Sequence, residues 1–136
     1  MYMVSITKRI AALCRVPGAI LAVLLAFSAC NTPSVPIPPP RPDLMTFALD
    51  TDASTVSFQY DDNADYGGAV VYLYNRDLGE GIITTADDAG RVMSSQPFPG
   101  TEGDDVIVTF EVEAQLGSTC VTLREGRASA ADLCSL

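Results

Sequence analysis

A chain without histidine or tryptophan has few routes to polar chemistry. The commonest general base and the commonest transition-metal ligand are both missing. Seventeen Asp and Glu, five Tyr and four Cys remain. The carboxylates gather in turn-like stretches: Asp50 with Asp52, DDNAD at 61–65, Asp87 with Asp88, and EGDD at 102–105. Oxygen-rich loops of this kind suit calcium. The candidate set is Asp61, Asp62 and Asp65, sharing an ion with Asp104 or Asp105 if the loops converge. No stretch follows EF-hand spacing, and Asp is favoured in surface turns for its local hydrogen bonds, so solvated turns are the simpler expectation. Paired carboxylates also serve glycosidases. A cleft in so small a domain would be shallow, however, and no tryptophan is present as a sugar platform. The expectation is a protein that is not an enzyme.

Tyr72 and Tyr74 are candidates for contact rather than catalysis. In AVVYLYN, 69–75, they share one face and Val71 and Leu73 the other. If the tyrosine face points outward, it makes an aromatic patch able to bind a partner; otherwise the rings complete a packed sheet.

The thiol at Cys30 sits at a junction. Residues 1–15 form a basic leader and residues 16–29, VPGAILAVLLAFSA, an apolar segment of fourteen. A membrane span needs about 20 such residues, so fourteen fits the core of an export signal. FSAC at 27–30 resembles the lipobox of bacterial lipoproteins, with Ser28, Ala29 and Cys30 matching and Phe27 standing where Leu is usual. The resemblance implies cleavage before Cys30 and acylation of its sulfur. Acyl chains bury about 0.8 kcal/mol per methylene, enough for stable anchoring. Asn31 rather than Asp follows, which by the same resemblance implies the outer membrane if the cell has one. Cys14 would be lost with the leader.

Charge is divided unevenly by this junction. Three of the eight basic residues, Lys8, Arg9 and Arg15, precede it and none of the seventeen acidic ones does, so cleavage leaves a net charge of −12. That surface repels phosphate backbones and anionic head groups, which argues against nucleic acid as a partner. NTPSVPIPPPRPD, 31–43, holds six prolines and reads as a semi-rigid polyproline II spacer, about 3.1 Å per residue. The expected divisions are a signal peptide over 1–29, a lipidated Cys and tether over 30–43, and a folded domain over 44–136.

In that domain the hydrophobic period is two. Seven strands are expected, at LMTFALD (44–50), STVSFQY (54–60), AVVYLYN (69–75), GIITT (81–85), RVMSS (91–95), DVIVTFEVEA (105–114) and STCVTLRE (118–125), with Gly117 marking the last turn. SAADL, 129–133, reads as one helical turn capped by Ser129. The fold class is all-β, a small sandwich. Cys120 and Cys134 fall in the exported part, where disulfides persist. A bridge between them closes a loop worth about 3 kcal/mol.

AVVYLYNRDLGEGIITTADDAGRV, followed by PGTEGDDVIVTFEVEAQLGSTCVTL, resembles the small bacterial immunoglobulin-like domains of surface proteins. Asn75, Gly79, Asp87, Gly90, Gly103 and Asp104 fall on that pattern of hairpin and turn residues. The likeness covers roughly residues 66–124; AGRV and the terminal cysteine pair depart from it. It implies an accessory or adhesive module without catalytic residues. The functional expectation is a lipid-anchored envelope protein whose immunoglobulin-like module binds an envelope protein or a polysaccharide. The alternatives are a structural or assembly accessory of an envelope complex and a calcium-dependent adhesion module.

Overall fold

Branched and aromatic residues alternating with polar ones bury one side of a pleated strand, and these strands form where that alternation runs longest. The computed structural model describes residues 36–135; the leader and Cys30 lie outside them. Eight strands appear: β1 (Met45–Asp50), β2 (Thr55–Tyr60), β3 (Val70–Asn75), β4 (Glu80–Thr85), β5 (Phe98–Pro99), β6 (Asp105–Val112), β7 (Gln115–Thr122) and β8 (Gly126–Arg127). They make two four-stranded antiparallel sheets, β5-β2-β1-β8 and β4-β3-β6-β7. The molecule is an all-β sandwich.

Alternation decides the core. Met45, Phe47, Val56, Phe58, Tyr60 and Phe98 of the first sheet face Val71, Leu73, Val106, Val108, Phe110 and Val121 of the second, all buried. Five rings form a connected cluster: Phe47, Phe58, Tyr60, Tyr66 and Phe110, with Tyr66 and Phe110 centroids 4.4 Å apart. Tyr66 enters from a 3₁₀ turn, Ala64–Tyr66, that links the sheets.

Four expectations are revised. The stretch 91–95 is not a strand: Val92 forms a lone bridge to Tyr60, and Ser95 turns inward so that its Oγ accepts the Phe58 N–H at 2.9 Å. Gly117 is not a turn. It lies inside β7 opposite Phe110, and the turn falls at Glu113–Ala114, both with positive φ (50° and 65°). Ala114 therefore leaves the inward face. Two short strands, β5 and β8, were not foreseen.

The fourth revision concerns the proline tract. Pro36–Arg41 is bonded to the sandwich and is no spacer. The Ile37 N–H donates to Gln115 Oε1 at 3.0 Å, the Tyr66 hydroxyl to the Pro38 carbonyl at 2.6 Å, and the Arg41 N–H to the Tyr60 hydroxyl at 3.1 Å. Thr119 Oγ1 donates to the Pro40 carbonyl. The strap runs alongside β7 in the same direction, against its inward-facing residues. Gly117 is required there, because a Cβ at that position would sit 2.5 Å from the Pro38 carbonyl oxygen. The compact unit accordingly starts at Pro36.

Candidate partner-binding face

Cys120 and Cys134 are joined, with sulfurs 2.02 Å and Cα atoms 5.4 Å apart. The bridge pins the segment after a short 3₁₀ turn, Ala130–Asp132, to β7. There the Cys134 N–H also donates to the Cys120 carbonyl at 3.1 Å. Ser129 caps the turn as expected, in a full capping box with Asp132. Asp105 approaches the two sulfurs. Sulfurs spent in a disulfide are not thiolate ligands, so this trio makes no metal centre.

The proposed calcium set does not assemble. Asp61, Asp62 and Asp65 lie between the end of β2 and the start of β3. Asp104 precedes β6 and Asp105 begins it, and the first residues of β6 pair with the end of β3. A six-residue strand, about 20 Å at 3.3 Å per residue, separates the two groups. Each group has local work instead. Asp61 accepts from Arg127 at 2.7 Å, and Asp62 sits 3.5 Å from Arg91. Asp104 Oδ2 accepts from Asn75 Nδ2 at 2.8 Å and from the Thr101 N–H at 2.9 Å. Asp105 accepts from Thr122 Oγ1 at 2.9 Å.

The turn residues that carry the immunoglobulin-like resemblance are structural. Asn75 is fully buried. Its Oδ1 accepts the Asp77 and Leu78 N–H groups at 3.0 and 3.1 Å, and its Nδ2 donates to the Pro99 carbonyl and Asp104. One side chain thus closes the β3–β4 hairpin and ties it to the opposite sheet. The Asp87 carboxylate accepts the Ala89 and Arg91 N–H groups at 3.0 and 2.9 Å. Those bonds, the Arg91 one first, hold it below its usual range.

Tyr72 and Tyr74 do share an outward face. Strand register sets Ile83, Tyr72, Thr109 and Ser118 in one row across β4-β3-β6-β7, and Gly81, Tyr74, Ile107 and Cys120 in the next. Ile83 is 68% exposed and Tyr74 45%. The Tyr72 hydroxyl donates to Glu111, which raises its pKa and fixes the ring. An open depression of about 330 Å³ lies beside it, lined by Tyr72, Thr109, Glu111, Ala114 and Leu116. A larger one, about 480 Å³, runs between the proline strap and the disulfide.

Sequence reasoning found the two tyrosines and missed Ile83, Ile107 and Leu116 around them. Their signal was register, which one strand read alone does not carry. Among the described residues no helix is long and apolar enough to cross a membrane. Comparison of the chain with protein-family models, curated proteins and solved structures returned no match, so function is argued from its own residues.

Proposed function

We propose that this chain is a lipid-anchored protein of the cell envelope that presents a non-enzymatic, immunoglobulin-like binding module. FSAC, between an apolar core and a proline tract, supports acylation at Cys30 and, with Asn31, the outer membrane where the cell has one. The observation that carries the binding role is the outward face of β4-β3-β6-β7. It sets Tyr74 and Ile83 in solvent, with half-buried Tyr72 beside Ile83 and half-buried Ile107 beside Tyr74. Apolar groups clustered on an otherwise acidic surface mark a contact site, and aromatic residues supply most of the energy of such contacts.

The strap sets how far the module reaches. Only residues 31–35 separate Cys30 from the first described residue, Pro36. At about 3.5 Å per residue the chain between them has a contour length of about 20 Å. The expected partner is an envelope protein or polysaccharide.

Two measurements test this. Mass spectrometry of the mature protein is expected to find an acylated N-terminal Cys30, and Cys30→Ala is expected to release the protein from membranes; unaltered processing and fractionation refutes the anchor. Crosslinking in intact envelopes is expected to trap one stoichiometric partner that Tyr74→Ala loses. Trapping that is indifferent to Tyr74→Ala refutes the face.

A further inference from the structure

A sheet ends where its last strand has nothing beside it, and an end strand offers a row of unpaired N–H and C=O groups. β4 ends its sheet with no strand hydrogen-bonded on its outer side, although β5 of the opposite sheet packs near it. The Ala86 N–H bonds to the Ala69 carbonyl and the Arg76 N–H to the Asp105 carbonyl. In an antiparallel ladder bonded pairs alternate, so Glu80, Ile82 and Thr84 point their backbone groups at β3. Gly81, Ile83 and Thr85 point theirs outward, and among the described residues no other backbone group bonds to them.

The other borders are shorter or occupied. β5 and β8 have two residues each, and β5 includes Pro99. β7 has the strap on its inner side and Cys134 bonded to Cys120. Edge strands are ordinarily protected by lysine, proline or a charge on the strand. β4 carries one charge, Glu80 at its first residue; the rest of it, GIITT at 81–85, has none of these, and Ile83 stands outward on it, beside Tyr72 in the same row.

Charge then selects the occupant. Carboxylates bracket the uncharged stretch: Asp77 and Glu80 before it, Asp87 and Asp88 after it. Of the nearby cations, Arg91 is bonded to Asp87 and Arg76 lies 3.7 Å from Asp105. Asp77 accepts the Asp105 N–H. Among the described residues Glu80 and Asp88 have no cationic partner and both are exposed. A second copy paired antiparallel about Ile83 would set Glu80 of one chain beside Ala86–Asp88 of the other, acid against acid. A strand with basic ends meets the opposite sign at both.

We propose that the free edge of β4, Gly81–Thr85, takes up an extended strand of a partner protein whose uncharged, β-branched core is flanked on both sides by Lys or Arg. Main-chain bonds to Gly81, Ile83 and Thr85 supply the register. Ile83 and the Tyr72–Tyr74 face supply the apolar bed for alternate side chains. The inference rests on the binding-module reading and names its mode.

The test uses the full-length protein in nonionic detergent and a synthetic peptide of five alternating Thr and Val residues with two lysines at each end. The lysine peptide is expected to bind at least tenfold more tightly than the same core flanked by glutamates. Ile83→Pro removes an outward N–H and no ladder bond, and is expected to weaken binding at least tenfold with melting little changed. Should that variant misfold, two peptides N-methylated on complementary sets of alternate nitrogens are expected to differ at least tenfold on the unaltered protein. Equal binding by those two peptides, or by a folded Ile83→Pro, reduces the effect to charge attraction and overturns the proposal. A dimer of the unaltered protein that Ile83→Pro dissolves also overturns it, in favour of a second copy. An envelope partner lost in Tyr74→Ala and kept in Ile83→Pro sinks the strand mode and leaves the binding module standing; no partner at all sinks the module.

Discussion

β7 and β4 border the same sheet and are finished differently. β7 has a proline strap along its inner side, two tyrosine hydroxyls reaching out of the core to hold that strap, and a disulfide that fastens the following segment to its end. β4 has a bare backbone and an isoleucine in solvent. Both borders carry the same risk of unwanted strand pairing, and several devices are spent on one of them only. The difference teaches where the molecule tolerates contact: the strap side is built to stay closed, the β4 side to stay available.

The largest change expected from breaking this asymmetry comes from the disulfide. Cys120→Ser with Cys134→Ser removes the cross-link across a 14-residue separation, for a loss of about 3 kcal/mol in denaturant unfolding. A loss below about 1 kcal/mol would mean that the strap alone holds the β7 border. Gly117→Ala comes next. Its methyl would meet the Pro38 carbonyl oxygen at 2.5 Å, so strap or strand must move, at about 1–3 kcal/mol. Hydrogen exchange at the Ile37 amide should rise in the same variant. Unchanged exchange there would dissociate the strap from β7.

Tyr66→Phe is gentler. It leaves the ring in the aromatic cluster and deletes only the hydrogen bond to the Pro38 carbonyl, worth about 1 kcal/mol. At the other border Ile83→Ser should leave stability within about 0.5 kcal/mol, because that side chain is mostly in solvent. A loss as large as that of Tyr66→Phe would show β4 to be structural and the comparison mistaken.

The long strands with clear alternation were the most legible: Val56, Phe58 and Tyr60 on β2, or Val106, Val108 and Phe110 on β6, declare their buried side without neighbours, whereas β7 begins at Gln115, three residues before the expected STCVTLRE. The disulfide was legible as an even pair of cysteines in the part expected to be exported. Features made by two distant segments were not. PPII geometry suits a free spacer and a docked strap equally, and what docks this one is a pair of hydroxyls from Tyr60 and Tyr66. Gly117 signals a turn in isolation and a close backbone approach in context. The true turn uses Glu113 and Ala114 in the left-handed region, where asparagine and glycine are the usual markers, so no residue type announced it. The outward tyrosines were nameable from β3 alone, whereas the unpaired β4 edge follows from strand order.

The smallest expected effect concerns acid, and it separates the borders by chemistry. A turn carboxylate lies near each: Asp132 ahead of the disulfide-pinned segment, Asp87 just after β4. Asp132 is held below the usual range by the Ser129 hydroxyl first, then by the Ser129 N–H and Arg124. Asp87 is held down chiefly by the Arg91 N–H. A carboxylate whose pKa is lower folded than unfolded stabilises the fold above its unfolded value, 3.8 for Asp in both cases. That contribution is lost as pH falls through the lower, folded value. Both groups sit at the surface but are partly covered, with 38% of the Asp87 side chain and 11% of the Asp132 side chain exposed, so the effect is small and shrinks with salt, least at Asp132. Between pH 5 and pH 2 the Ala89 and Arg91 amides should lose protection, after correction for intrinsic exchange rates, and Asp87→Asn should flatten that change because Asn keeps the side-chain acceptor. The Cys134 amide, bonded to the Cys120 carbonyl beside a disulfide that does not titrate, should keep its protection over the same range. Loss of protection at Cys134 in step with Ala89 would mean that the β7 border depends on the Asp132 cap rather than on its covalent bond.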